Sequence, residues 1–331
     1  MERTNDPVLS VRNLSVSFAD AAGTLHAVDD VSFDVPEGGI LGVVGESGSG
    51  KTVSLMSTMG MIESSTMRVS GSALFRGRDL LKMDFAERAA LRGREIGFVF
   101  QNPLSSLNPV MRIGAQIAEA PLFHGLINRR QARDCAISLL ESVGVANPER
   151  RLDDYPHQFS GGERQRVMIA IAISCGPRLL ICDEPTTALD VTVERKILEL
   201  LFSLRDRRNL SLVFITHDLT VAMNFADEIS VMYGGAIMER GSALQVLSNP
   251  AHPYTRELFS ANMEVGKGKR RGEEPAGTPA EFFRGREGCP FEPAGGPPFV
   301  SRSRMREVEG EPGHWVNDLH RYTLETDGVV A

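Results

Sequence analysis

The chain has 331 residues, 42% of them hydrophobic, which is enough for a substantial core in two domains or in one large domain with an appendage. Its 36 Lys and Arg against 43 Asp and Glu give a net charge of −7, which argues against a large nucleic-acid interface because phosphate binding needs a basic face. Four cysteines without a C-x-x-C pair make a disulfide framework unexpected and favour a reducing, cytoplasmic setting.

The N-terminus and the apolar runs carry no membrane signal. No apolar stretch follows a basic start, so we expect no signal peptide. The longest largely apolar run, residues 167–175, is far shorter than the roughly 20 residues of a membrane-spanning helix. We therefore expect the protein to act at a membrane only by docking on a partner.

The first 45 residues predict three strands. Residues 8–18 and 25–35 alternate between apolar and polar side chains, which is typical of an antiparallel pair, and residues 40–44 form a continuous apolar run. Similar runs recur further along the chain with helical segments between them, at residues 96–100, 179–183 and 212–216. The pattern predicts an α/β core with a mostly parallel sheet.

The sequence GESGSGKT follows the third predicted strand and matches G-x-x-x-x-G-K-[ST]. Its glycines allow backbone N–H groups to turn inward around phosphates, and the next helix offers its positive N-terminus. Lys51 is expected to reach the β- and γ-phosphates and Thr52 to ligate Mg²⁺. A glycine-rich turn without a nucleotide is the alternative. The predicted phosphate-binding residues are Gly45, Glu46, Ser47, Gly48, Ser49, Gly50, Lys51 and Thr52.

The strand-type runs stop between about residues 102 and 162, which predicts a helical subdomain. Residues 113–123 and 130–145 show apolar side chains at i, i+3 and i+4. At the end of this span, Ser160, Gly161 and Gly162 of FSGGE are expected to begin a helix and to offer hydroxyl and N–H donors to an anion. The alternative is an ordinary helix N-cap with Glu163 as an acid of the first turn.

The run LLICDEP, residues 179–185, is a predicted strand that ends in two acids. Asp183 is placed to hold Mg²⁺ through water, and Glu184 to polarise the attacking water as a general base. Two ordinary acids at a strand end are the alternative. The presence of the phosphate loop in the same chain favours the catalytic interpretation.

The ordered motifs over residues 8–250 resemble the ATP-binding cassette family. GESGSGKT is similar to its Walker A motif, FSGGE to its signature, with Phe159 and Glu163 where Leu and Gln are commonest, and LICDEP to its Walker B motif. The matching Q-loop, D-loop, switch-histidine and adenine-stacking positions are Gln101, Ala188-Leu189-Asp190, His217 and Phe18. A core phenylalanine is the alternative for Phe18.

The resemblance implies a P-loop NTPase fold, namely an ABC nucleotide-binding domain over residues 1–250. This domain combines a RecA-like core, an antiparallel β subdomain and the helical subdomain, and residues 251–331 form an irregular C-terminal extension rich in Pro and Gly. It also implies that Ser160 and Gly162 complete the ATP site of a second cassette, and that Tyr155–Gln158 couple to a membrane partner.

The site residues implied by the resemblance fall into three overlapping sets. The catalytic set is Lys51, Gln101, Glu184 and His217. The Mg²⁺ set is Thr52, Gln101 and Asp183. The ATP-binding set adds to residues 45–52 the positions Phe18, Gln101, Ser160, Gly161, Gly162, Glu163, Asp183 and Asp190.

A second resemblance lies in NPAHPYTREL, residues 249–258, which is similar to the C-terminal signature of the ATPases of peptide and nickel importers. It implies an ATP-hydrolysing subunit that powers the uptake of dipeptides, oligopeptides or a related solute. The implied partners are a second cassette, identical or homologous, two transmembrane permease subunits and an extracytoplasmic solute-binding protein. The implied location is the cytoplasmic face of the inner membrane, as a peripheral subunit.

Three other functions remain as alternatives. They are an export-type cassette, a soluble cassette that acts on nucleic acid or ribosomes, and an inactive regulatory cassette. The net charge and the single cassette argue against action on nucleic acid, and the intact Lys51, Asp183, Glu184 and His217 argue against an inactive protein. The transported solute stays open because its recognition belongs to the partners.

Cys289 in the extension stands where peptide-importer ATPases begin a cysteine-rich iron–sulfur pattern. Such a cluster needs about four thiolates, and no other cysteine follows residue 182. We therefore expect no iron–sulfur cluster, with a zinc site at Cys289, His314 and His320 as the alternative. A small satellite core or partner contact is predicted for the aromatic residues Phe282, Phe283, Phe291, Phe299 and Trp315.

Overall fold

The computed structural model describes residues 6–20, 23–62, 64–187, 189–265 and 305–317. The chain divides into two compact units that are discontinuous in sequence. The first unit consists mainly of Pro36–Gly39 and Asp84–Ile215, with Met1–Val8. The second consists of Leu9–Val35, Ile40–Met83 and Thr216–Ala331. The predicted division near residue 250 stays a prediction.

The first unit contains three parallel strands. Strand β6 pairs with β7 from Ile96↔Leu179, and β7 pairs with β8 from Leu179↔Ser211. Every residue of β7 and β8 is buried, which explains the continuous apolar runs of a strand that is covered on both faces. The bounds are β6 Ile96–Val99, β7 Leu179–Asp183 and β8 Ser211–Thr216.

Besides these strands, the first unit contains helices. They are α2 Phe85–Leu91, α3 Pro103–Ser106, α4 Ile113–Phe123, α5 Ala132–Ser142, α6 Pro148–Arg151, a 3-10 turn Pro156–Gln158, α7 Gly161–Ala172 and α8 Val191–Arg208. The apolar spacing predicted α4 and α5, and their inward faces bury Ile113, Ile117 and Leu140. The predicted helical span is therefore helical in the structure, since α3 to α6 and the 3-10 turn lie within it.

The second unit contains an antiparallel sheet of the order β2-β1-β4-β5. Its strands are β1 Pro7–Asp20, β2 Gly23–Pro36, β4 Met67–Phe75 and β5 Arg78–Asp79. The register of β1 with β4 runs from Leu9↔Phe75 to Phe18↔Met67, with a shift between Arg12 and Ser15. This register places Phe18 opposite Met67, near the C-terminal end of β1. The sequence predicted β1 and β2 but neither β4 nor β5.

The remaining strands of the second unit run in the order β11-β12-β10-β9-β3. Strand β3 is parallel to β9, and the other neighbours are antiparallel. The bounds are β3 Ile40–Val44, β9 Glu228–Tyr233, β10 Ala236–Ser242, β11 Met305–Glu307 and β12 Trp315–Asn317. The helices are α1 Lys51–Thr58, α9 Leu219–Phe225, α10 Ala243–Ser248 and α11 Pro253–Val265.

The described part of the C-terminal extension is more regular than the sequence predicted. Helix α11 and the pair β11–β12 belong to it, and β12 adds to β10 through Glu239↔Val316 and Arg240↔Trp315. Strands of three residues are too short to carry a recognisable alternation, so only the pairing partner reveals them. No helix in the described ranges combines the length and the apolar character that crossing a membrane requires.

Candidate functional site

The predicted phosphate loop, residues 45–52, connects the buried strand β3 to helix α1 in the second unit. Gly45, Gly48 and Gly50 have φ of 158°, 80° and 94°, in the range that favours glycine. A Cβ at Gly45 would overlap the carbonyl oxygen of Met232, and a Cβ at Gly50 would lie 2.6 Å from the carbonyl oxygen of Ala27. The loop backbone is therefore packed so closely that only glycine fits.

The ammonium group of Lys51 lies inside this loop. Its side chain is 4% exposed, and Nζ donates to the carbonyl oxygens of Gly45 at 2.8 Å and Glu46 at 2.7 Å and to Oγ of Ser49 at 3.3 Å. Helix α1 starts at Lys51 and has no acidic residue in its first turn, so nothing in that turn neutralises the positive helix end. Thr52 follows, partly buried, in the same turn.

Two predicted residues of the first unit meet directly. Nε2 of Gln101 donates to Oε2 of Glu184 at 2.9 Å, and Oγ1 of Thr187 donates to the same oxygen at 2.9 Å. Glu184 itself has φ of 42°, which is unusual outside glycine and costs on the order of 1–3 kcal/mol. The carboxylate is thus held in one orientation on a strained backbone position directly after β7.

Asp183 and Asp190 lie on either side of this turn. Asp183 ends β7 and is 5% exposed. Asp190 is the N-cap of α8, where its Oδ1 accepts from the backbone N–H of Val193 at 3.0 Å. The structure therefore gives Asp190 a local capping contact in addition to its predicted role.

Residues 160–163 begin α7 with a capping box, as the alternative interpretation of the sequence expected. The hydroxyl of Ser160 donates to Oε2 of Glu163 at 2.9 Å and accepts from the Glu163 backbone N–H at 3.3 Å. Burial raises the pKa of Glu163, but the hydrogen bonds from Ser160 and the charge of Arg151 outweigh it, so the pKa is lowered. The cap uses the backbone N–H of Glu163 but not those of Gly161 and Gly162, which point toward the same end of the helix, so it does not exclude an anion contact.

A close contact leaves no room for a side chain at Gly162. A Cβ there would lie 2.6 Å from Cγ1 of Val193 in the first turn of α8, and one at Gly161 would lie 3.7 Å from Cδ2 of Leu189. The start of α7 therefore contacts the segment that holds Asp190. The FSGGE motif therefore lies next to Leu189 and Asp190 of the predicted D-loop.

The two remaining predicted residues lie in the second unit. Phe18 is only partly buried near the end of β1, so it is not a residue of the closed core. His217 is exposed directly after β8, and the next residue, Asp218, caps α9 by accepting from the N–H groups of Thr220 and Val221. Each position is accessible, and the assigned roles remain predictions.

Three residues with evident contacts in the structure carry no functional signal in the sequence, or only a partial one. Thr187 lies between the LICDEP motif and the predicted D-loop and was assigned no role. Tyr254 was assigned only to a family motif, yet its hydroxyl accepts from the backbone N–H of Glu46 in the phosphate loop at 3.3 Å. Glu239 gave no signal, because a buried acid within a strand is visible only from its partners.

The predicted zinc alternative fits the structure poorly at His314. Its ring is buried, Nε2 lies 2.7 Å from Oε1 of Glu239, and Nδ1 lies 2.6 Å from Oε2 of Glu311. Both ring nitrogens are therefore already engaged. Within the described ranges no group of three or more His, Cys, Asp or Glu is suited to a metal ion.

The other predicted residues of the extension lie outside the described residues. These are Cys289, His320, Phe282, Phe283, Phe291 and Phe299. Trp315 is described, in β12, where the guanidinium of Arg240 lies 5.8 Å from the centroid of its ring. Ala188 of the predicted D-loop is also outside the described residues.

Two family models match the sequence. The model of the ABC transporter family matches residues 28–187. The model of the oligopeptide/dipeptide transporter C-terminal region matches residues 238–294. The second match begins within β10 and includes all of helix α11.

Curated relatives and solved structures agree with these models. The dipeptide transport ATP-binding protein DppD of Escherichia coli is 45% identical, over 86% of this chain and 88% of its own. DppD of Bacillus subtilis is 42% identical over 86% of each chain. Among solved structures, the dimeric ATP-binding cassette MJ0796 bound to ADP and Pi has a TM-score of 0.64 at 26% identity, and covers 71% of this chain and 98% of its own.

Proposed function

The chain belongs to the ATP-binding cassette transporter family, and from this premise we propose that it is the ATPase subunit that powers uptake of dipeptides or oligopeptides. Both relatives named above are described as dipeptide transport ATP-binding proteins, and the C-terminal match is to the C-terminal region of oligopeptide/dipeptide transporters. This combination favours peptide import over export and over a soluble cassette that acts on nucleic acid.

The observation that carries the ATP-binding proposal is the loop around Lys51. Closely packed glycines, a buried ammonium group and an uncompensated helix N-terminus together form a site for phosphate anions. We assign the triphosphate to residues 45–52 and the adenine ring to the partly exposed Phe18. Stacking on an aromatic ring suits adenine because both faces are flat and apolar.

Glu184 is proposed as the general base. A water molecule attacks the γ-phosphorus, its proton passes to the Glu184 carboxylate, and the bond from the γ-phosphorus to the β-bridging oxygen breaks to release ADP and phosphate. Two donors on Oε2 fix the carboxylate plane, which supports this role. His217 is proposed to hold the γ-phosphate, and Lys51 to neutralise the charge that develops on the leaving group.

The proposed Mg²⁺ ligands fit the metal by their chemistry. Thr52 offers a hydroxyl oxygen, Asp183 a carboxylate and Gln101 an amide oxygen, and Mg²⁺ prefers such hard oxygen donors. The amide nitrogen of Gln101 is bonded to Glu184, so its amide oxygen is the group left for a cation. When bound, Mg²⁺ would neutralise phosphate charge and orient the γ-phosphate for in-line attack.

We propose that a second cassette completes the site. Ser160 and Gly162 at the positive end of α7 would contact the γ-phosphate of ATP bound to the partner cassette, with Gly161, Glu163 and Asp190 supporting the contact. The dimeric state of the related cassette MJ0796 supports this arrangement.

Membrane permease partners follow from the importer role. Two permease subunits, an extracytoplasmic solute-binding protein and a peripheral position on the cytoplasmic face of the membrane complete the proposal.

Reconstitution tests this function. The chain is co-purified with its permeases and partner cassette and placed in liposomes with the purified solute-binding protein. Dipeptides should then stimulate ATP hydrolysis and be transported at the expense of ATP. Hydrolysis without any response to peptides, while another solute stimulates it, would overturn the peptide assignment and leave the ATPase assignment in place.

A further inference from the structure

One hydrogen bond links the C-terminal extension to the phosphate loop within the second unit. The backbone N–H of Glu46, the second residue of the loop, donates to the hydroxyl oxygen of Tyr254 at 3.3 Å, across 208 residues of sequence. The Tyr254 side chain is 1% exposed, and burial raises the pKa of its hydroxyl, which therefore stays neutral. A neutral hydroxyl accepts the N–H and keeps its own proton.

The ring of Tyr254 is anchored next to the loop. It packs on Tyr233 with the ring centroids 4.6 Å apart and shares a buried cluster with Val44 and Leu219. Val44 is the last residue of β3 and directly precedes the loop. The ring and the hydroxyl therefore both contact the point at which the chain enters the phosphate loop.

The backbone of Tyr254 is anchored as well. Nδ1 of His252 accepts from the Tyr254 N–H at 3.1 Å, and burial together with the charge of Arg256 lowers the His252 pKa to about 3. This neutral imidazole can accept at Nδ1. The buried carboxylate of Glu239 in turn accepts from the N–H groups of Ala251 and His252, both at 2.9 Å.

The pair β11–β12 reaches the same carboxylate. His314, directly before β12, lies with Nε2 2.7 Å from Oε1 of Glu239. A continuous series of contacts thus leads from residues 305–317 through Glu239 to the start of α11 and on to Glu46. These contacts restrain Tyr254 more strongly than its position in α11 alone would restrain it.

We propose that Tyr254 is a positioning residue for the phosphate loop, so that the C-terminal extension sets the nucleotide affinity of the ATPase. This inference rests on the function proposed above. The hydroxyl holds the first peptide of the loop in place before a nucleotide binds. Less conformational freedom is then lost on binding, and preorganisation of this kind raises affinity.

The first test needs no nucleotide. Amide hydrogen exchange is followed in the peptide that contains Glu46 in the full-length wild type, in Tyr254→Phe and in the matched control Thr255→Val. Thr255 is fully buried beside Tyr254, and within the described residues its hydroxyl has no hydrogen-bond partner. Exchange in this peptide should accelerate in Tyr254→Phe alone. Equal exchange in Tyr254→Phe and in the wild type would overturn the proposal.

The second test measures nucleotide affinity in the assembled transporter. Tyr254→Phe should raise the KM for ATP and the Kd of a fluorescent ATP analogue roughly fivefold, with kcat changed less than about twofold and Tm nearly unchanged. Thr255→Val should leave all four values at the wild-type level. Equal losses in both variants would show a packing effect and refute the proposal. Failure of the wild type to bind the analogue would refute the proposed function instead.

Discussion

Gln101 and Glu184, separated by 83 residues in sequence, are joined by a hydrogen bond of 2.9 Å from the amide nitrogen of the first to Oε2 of the second. The bond links the segment that precedes the predicted helical subdomain to the proposed catalytic base. A displacement of Gln101 would therefore reorient the carboxylate. This gives a physical route by which events in residues 102–162 can change the rate of hydrolysis.

Glu184→Gln should reduce kcat for ATP hydrolysis by at least about 100-fold, because an amide cannot accept the proton of the attacking water. ATP binding should persist, since the phosphate loop is unchanged. Turnover and the binding of a fluorescent ATP analogue are measured on the same preparation. A variant that keeps wild-type turnover would exclude Glu184 as the base.

Thr187→Val should lower kcat by about tenfold with a smaller effect on KM, because the carboxylate loses one of two donors and a hydrogen bond to a charged group contributes about 1.5 kcal/mol or more. Thr187→Ser keeps the hydroxyl and should recover most of the activity. If both variants behave alike in steady-state kinetics, the hydroxyl does not orient Glu184.

Gly50→Ala should weaken ATP binding at least about tenfold, since the new Cβ must move away from the Ala27 carbonyl oxygen in a left-handed conformation that itself costs about 1 kcal/mol. Gly77→Ala is the matched control. Gly77 also has a positive φ, of 80°, but a Cβ there would meet no atom within 4 Å. The Gly77→Ala variant should lose about 1 kcal/mol of stability and bind ATP normally. Thermal unfolding measures the stability, and titration with ATP measures the affinity.

The capping box at the start of α7 should make stability depend on pH. The pKa of Glu163 is lowered in the folded state from its ordinary 4.5, so its contribution is present above about that pH and is lost as pH falls through the folded pKa. The stability difference between the wild type and Glu163→Gln should thus be constant near neutral pH and shrink in acid. Denaturant unfolding at several pH values measures it, and a difference that grows on acidification would contradict the assignment.

Glu239→Gln should destabilise the chain by about 3 kcal/mol, because an amide has one acceptor oxygen, whereas both oxygens of the fully buried Glu239 accept, from the N–H groups of Ala251 and His252. Glu307→Gln, at an exposed acid whose Oε1 accepts from the Gly313 N–H, should cost less than about 1 kcal/mol. Urea unfolding of the full-length chain compares the two. Equal losses in the free energy of unfolding would show that the buried contacts of Glu239 contribute no more than the exposed contact of Glu307.

The sequence by itself predicted the residues that we propose to carry the chemistry. GESGSGKT, FSGGE and LICDEP follow from phosphate and metal chemistry that few residue types can perform, and the buried strands Ile40–Val44, Leu179–Asp183 and Ser211–Thr216 follow from their continuous apolar runs. Helix α4 follows from another pattern, because residues 113–123 place apolar side chains at helical spacing.

Only the tertiary structure decided which distant residues meet. Gln101 on the Glu184 carboxylate, Val193 against Gly162, and Tyr254 on the backbone of Glu46 are contacts between segments whose local patterns carry no information about one another. Strands β11 and β12 are similar, since their three residues each acquire strand structure only by pairing, β12 with β10 and β11 with β12. The apolar periodicity of a segment indicates which of its faces is buried. Only the packing in the folded structure shows which residues cover that face.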